Sequence, residues 1–142
     1  MPEPAPQAPS LARRLACALY ETLILAALVL VATFPYLAFA GDSTGGLRRH
    51  VLQAWVVLVV GAYLVWFWTR GGQTLAMKTW RIRVEAADGG PVRPGQAVRR
   101  YLFAWAGAAA LGTGFLWALL DRDGQFLHDR LARTRLVDAR AG

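Results

Sequence analysis

Hydrophobic positions fall into three long runs separated by short polar stretches. Thr22–Gly41, Val51–Thr69 and Tyr101–Leu120 contain no Asp, Glu, Lys or Arg. Crossing the hydrocarbon core of a bilayer takes roughly 20 apolar residues, and each run is long enough. The pattern predicts an all-α membrane protein with hydrophobic helices over about 15–40, 51–69 and 97–120. The third is read as a simple span, with a break and return near Gly112-Thr113-Gly114 as the alternative. Ser10 is placed to cap a helix starting near Leu11, and Pro35 interrupts the first run late. Between runs two and three, the basic, part-apolar stretch Gln73–Trp80 predicts a short amphipathic helix at the interface. Arg81–Ala86 alternates at strand period, and Asp88-Gly89-Gly90-Pro91 supplies the turn after it. Met1–Ser10 is rich in proline and has no apolar run, so 1–10 reads as a disordered tail. With 138–142 as a carboxy-terminal tail, 11–137 is one transmembrane domain.

Composition narrows the class. In 142 residues there are 16 Lys/Arg, 9 Asp/Glu and one Cys. A soluble domain of this size can bury one such run in its core but not three, and one cysteine excludes a disulfide scaffold. Arg13, Arg14 and the first run imitate a secretory signal ending at Ala38-Phe39-Ala40. That run exceeds the ~7–15 residues of a signal's apolar region, so an uncleaved first span is expected. Basic residues favour the cytoplasmic flank, which puts the amino terminus in the cytosol, here of a bacterial inner membrane. A full third span divides the basic residues nine to seven, and a re-entrant one fourteen to two. The net charge of +7 lies beside apolar runs, so it fits orientation and anionic lipid contact rather than nucleic acid. Tyr63, Trp66 and Trp68 fit a headgroup boundary.

Glu21 is the sharpest anomaly. An ionisable group at bilayer depth costs roughly 2.5–3.5 kcal/mol on insertion scales, and such groups usually face the protein interior. Arg14 lies two helical turns earlier on the same face, ~10 Å away along the axis and too far for an i,i+4 pair. Asp129 lies in the basic tail and is the expected partner of Arg14. An internal echo runs through the chain. Gly72-Gln73-x-Leu75 and Gly124-Gln125-x-Leu127 are 52 positions apart, and the same shift superposes Lys78 on Arg130, Arg81 on Arg133 and Arg83 on Arg135. His128 has no companion ligands for a metal, His50 has no evident role, and Cys17 is a packing residue. Gly41, Gly45 and Gly46 are not followed by the lysine of a phosphate loop. No nucleophile–base order stands out, so neither enzymatic activity nor a cofactor is expected. Ala104, Ala108 and Gly112 form a small-residue stripe suited to close helix approach.

Three separated motifs together resemble the RDD family of small bacterial membrane proteins. They are Arg14-Leu15-Ala16 followed by Glu21; Gly72-Gln73-Thr74-Leu75 followed by Lys78; and Gln125-x-Leu127-His128-Asp129-Arg130-Leu131-Ala132-x-Thr134. The resemblance covers about Leu11–Val137. It implies that Arg14 is the family arginine, that Glu21 stands where the first aspartate would be, and that Asp129 is the second acidic position. Glu21 carries its carboxylate one methylene further out than aspartate, and Arg133 stands where the family often has glycine. The resemblance also implies transport, with cation/proton antiport known for some members. The expected function is transport, or modulation of transport, of a small cation or proton-coupled solute. The alternative is a non-catalytic accessory subunit. Expected partners are the lipid bilayer and further copies of the chain or other membrane subunits.

Overall fold

The computed structural model describes residues 6–41, 45–110, 117–121 and 125–140. Most of these are helical. Helix α1 (Leu11–Ala40) begins at Ser10, whose side chain accepts from the Arg13 N–H, and it continues through Pro35. Helix α2 (Gly46–Thr69) packs against it. Both are long and apolar enough to cross a membrane. Their outward side chains, among them Leu23, Leu30, Val31, Phe34 and Leu58, are exposed. A continuous apolar surface of that kind suits hydrocarbon better than water.

Beyond α2 lie α3 (Leu75–Trp80), β1 (Ile82–Ala86), α4 (Pro94–Ala109), a 3₁₀ turn (Trp117–Leu119), α5 (Leu127–Leu131) and β2 (Thr134–Asp138). The third hydrophobic run departs from the expected single helix over 97–120. It starts earlier, at Pro94, and α4 closes at Ala110, whose N–H donates to Ala106 O. Its apolar part, Tyr101–Ala109, rises ~14 Å at 1.5 Å per residue, well short of a bilayer core. The chain then returns, because α5 packs on α4. Gly112, in both the expected break and the small-residue stripe, lies outside the described residues. The charged tail contains a strand. β2 pairs antiparallel with β1 in the register Ile82↔Asp138, Val84↔Leu136, Ala86↔Thr134. The inner face of the ribbon buries Ile82, Val84, Ala86, Thr134 and Leu136, while Glu85 and Arg135 pair across the other face at 2.5 Å. Gln7 O accepts from Asp138 N at 3.0 Å, so the amino-terminal segment runs beside β2.

The sequence echo is a structural repeat. The shift of 52 carries Leu75, at the start of α3, onto Leu127, at the start of α5, and β1 onto β2. It also carries Arg81 (φ 53) onto Arg133 (φ 56), the two non-glycine residues with left-handed backbone among those described. Val84 faces its own repeat mate, Leu136, so a local two-fold axis passes between them. Each motif glutamine is tied to its own strand. Gln73 donates to Ile82 O at 2.8 Å. Gln125 donates to Leu136 O at 3.2 Å and accepts from Leu136 N at 2.8 Å.

Helix α4 is locked to α2 at Gly61. A Cβ there would lie 2.8 Å from Tyr101 Cε1, and Tyr101 is held in place because its hydroxyl donates to Val57 O at 2.7 Å. Gly61→Ala should therefore lower stability by roughly 1–3 kcal/mol, the usual cost of overpacking. Gly45→Ala meets nothing within 4 Å and should be near neutral. Thermal melting of the two variants in detergent compares them, and equal midpoints would mean Tyr101 yields freely.

Candidate functional site

Helix periodicity puts Arg14, Cys17, Ala18 and Glu21 on one face of α1. That face looks into a cavity of about 210 Å³. Leu64 and Trp68 of α2, Met77, Ile82, Arg100, Phe126 and Leu136 complete most of its wall. The small side chains of Cys17 and Ala18 leave the space open between the two charged residues.

Arg14 is 5 % exposed. Its guanidinium lies over the Phe126 ring, 5.1 Å from the centroid, and its Nε and Nη1 have no hydrogen-bond partner among the described residues. Two turns along, Glu21 Oε2 accepts from the Thr74 hydroxyl, while Oε1 is buried with no hydrogen-bond partner among the described residues; the Tyr63 hydroxyl lies near the same carboxylate. Thr74 also caps α3, accepting from Met77 N at 3.3 Å. One residue of the Gly-Gln-Thr-Leu motif thus holds both its own helix and the intramembrane acid. The rest of the motif is structural. Gly72 O accepts from Val84 N at 2.8 Å, Leu75 is exposed, and Lys78 lies over the Phe67 ring.

Asp129 is not the partner of Arg14. It is fully buried in an ion pair with Arg100, which is 3 % exposed. Arg100 also donates to the Thr134 hydroxyl at 3.1 Å and covers the face of Trp68. The other carboxylate oxygen of Asp129 accepts from Phe126 N at 3.1 Å, capping α5. The physical reason is the third run. Because α4 is short and α5 folds back on it, Arg100 reaches Asp129 first. Trp68 is correspondingly buried instead of lying at a headgroup boundary, while Trp66 is exposed beneath Arg70. His128 stacks on Phe126. Burial and the nearby Arg100 push its pKa down to about 3, which keeps the imidazole neutral. Leu127 and Leu131 pack toward Phe103 and Ala106 of α4.

The two halves of the repeat use their polar groups in parallel. Thr74 ties the first motif to Glu21 of α1, and Asp129 ties the second to Arg100 of α4. Arg13 adds a further link, donating to Asp138 at 2.5 Å and to Trp80 O at 2.6 Å, and it holds the Asp138 carboxyl below the usual carboxylate range. The left-handed turn at Arg133 forms without glycine, at a cost of roughly 1–2 kcal/mol.

Among the described residues no group of three His, Cys, Asp or Glu is placed to hold a metal ion. The arrangement is a largely apolar pocket that holds two charged residues of α1, set between two apolar helices and a small α/β unit. That defines a small helical membrane protein. The chain belongs to the RDD family, whose model matches residues 8–133. No curated protein and no solved structure gives a significant match.

Proposed function

We propose that the protein carries a proton-coupled small solute across the membrane, or modulates such transport, with Glu21 as the proton-exchanging carboxyl. In this reading α1 and α2 span a bacterial inner membrane. The amino terminus and the paired motifs lie on the cytosolic side, and several copies assemble around the pathway. One observation carries the reading: inside an otherwise apolar helix, the Glu21 carboxylate lines a pocket, and one of its oxygens is buried with no hydrogen-bond partner among the described residues. Intramembrane acids so placed commonly mark proton or ion paths. The buried guanidinium of Arg14 in the wall of the same cavity favours a proton-coupled solute over a bare cation.

Flux into proteoliposomes, screened across several solutes with an imposed pH gradient, tests this. Wild type should exceed empty vesicles, and Glu21→Gln should lose at least tenfold of the pH-dependent flux while its abundance stays within about twofold. Equal flux from protein-containing and empty vesicles would favour a second reading, an accessory subunit. The Thr74–Glu21 and Arg100–Asp129 contacts support that alternative, because each joins separate elements whatever else it does.

A further inference from the structure

In the residues of the cavity wall, the buried polar atoms that lack a hydrogen-bond partner among the described residues are mostly donors. Arg14 Nε and Nη1, Arg100 Nε and Trp68 Nε1 are all buried without a hydrogen-bond partner, and all belong to residues of its wall. Among the described residues, the one buried acceptor of that wall without a hydrogen bond is Glu21 Oε1. Arg100 is neutralised by Asp129. Arg14 is ninety-five per cent buried and has no ion pair within 4 Å among the described residues, the Asp121 carboxylate acting on it from further away. Buried donors are normally satisfied, so a complementary occupant brings acceptor oxygens and a negative charge.

The rest of the wall limits that occupant. Most of that wall is apolar, Leu64, Met77, Ile82, Phe126 and Leu136 among its residues, which suits an occupant with a hydrocarbon body better than a phosphate or sulfate whose every oxygen needs a partner. A guanidinium fork matches a carboxylate in two parallel hydrogen bonds. The volume is that of about seven waters at ~30 Å³ each, enough for a small ring or a short chain. Glu21, further along the same face, disfavours a second negative charge. We propose that the cavity binds a small monocarboxylate, its carboxylate on Arg14 and its hydrocarbon body against Leu64, Met77 and Leu136. This rests on the proposed reading of the cavity as a solute site, and binding is measurable without flux, so either can fail alone.

Isothermal titration of the purified full chain in zwitterionic nanodiscs tests it, with benzoate, its neutral isostere benzamide, the cation benzylammonium and inorganic phosphate as probes. Benzoate should bind saturably, with the other three at least tenfold weaker. Arg14→Gln should lose at least tenfold in benzoate affinity, and Arg14→Lys should recover part of it. Ala18→Leu, which fills the cavity and leaves every charge in place, should also weaken benzoate. If Arg14→Gln fails to fold, the four-probe comparison on wild type and the Ala18→Leu result still decide. Equal affinity for benzoate and benzamide, preference for benzylammonium or phosphate, or no saturable binding would each overturn the proposal. A tenfold loss of benzoate affinity on adding phosphatidylglycerol to the nanodiscs would also overturn it, by assigning the cavity to an anionic headgroup. Benzoate binding with no flux would leave the site standing and remove transport; flux without benzoate binding would do the reverse.

Discussion

Asp129→Ala should cost the folded protein roughly 3–5 kcal/mol, because it leaves a guanidinium uncompensated in the interior. The pair has no route to water: Asp129 is 0 % and Arg100 3 % exposed. The Thr134 hydroxyl would remain on Arg100, but a neutral partner does not replace the lost charge. The substitution also removes the acceptor for Phe126 N, a capping contact typically worth ~1 kcal/mol. Removing the arginine as well should restore much of the loss, since buried ion pairs replaced by apolar residues of similar volume are often near neutral. The measurement is a double-mutant cycle over Asp129→Ala and Arg100→Met, read as membrane abundance and as melting midpoint in detergent. The coupling should exceed about 1.5 kcal/mol, whereas Arg14→Gln with Asp129→Ala should be close to additive. Additive losses in the Arg100/Asp129 cycle would show that the two do not depend on each other.

That contrast marks where the sequence stops being informative. The two long helices are legible because hydrophobic runs are set locally, and so are Ser10 as a cap, the short helix after Gly72-Gln73 and the alternation of β1. Glu21 and Arg14 stand out because a charge in an apolar run is costly. Asp129 is different. Its partner depends on where the third run turns back, and the signals for a return, Gly112-Thr113-Gly114 and the fourteen-to-two division of basic residues, do not say which residue of α4 meets the tail. Arg100 was hidden for the same reason: beside Arg99 it reads as a flanking charge. β2 was hidden because Thr134–Asp138 mixes arginine, aspartate and apolar residues in a charged tail. The repeat contained the missing information, since the shift that aligns the glutamines also lays β2 on β1.

Gly72→Ala should be as damaging as the loss of Asp129, roughly 3–5 kcal/mol, and should act on the cavity as well as on the fold. Two effects combine. Gly72 has φ +72, a backbone region that costs an L-residue roughly 1–2 kcal/mol. A Cβ there would also lie 2.2 Å from Val84 O, and the obstructing atom is backbone that a rotamer change cannot move. Val84 is held to Gly72 by its own N–H, which donates to Gly72 O at 2.8 Å, so relieving the clash means separating β1 from this loop. Gln73 and Thr74 follow directly in the chain, and Thr74 carries the hydroxyl that holds Glu21. A displaced loop would leave Glu21 without that donor. Gly71→Ala isolates the backbone contribution, because Gly71 has φ +102 but nothing within 4 Å of its would-be Cβ. Melting midpoints in detergent should fall modestly for Gly71→Ala and far more for Gly72→Ala. Equal falls would mean that left-handed backbone alone explains the glycine, and that the Gly72–Val84 contact does not fix the position of Thr74 against α1.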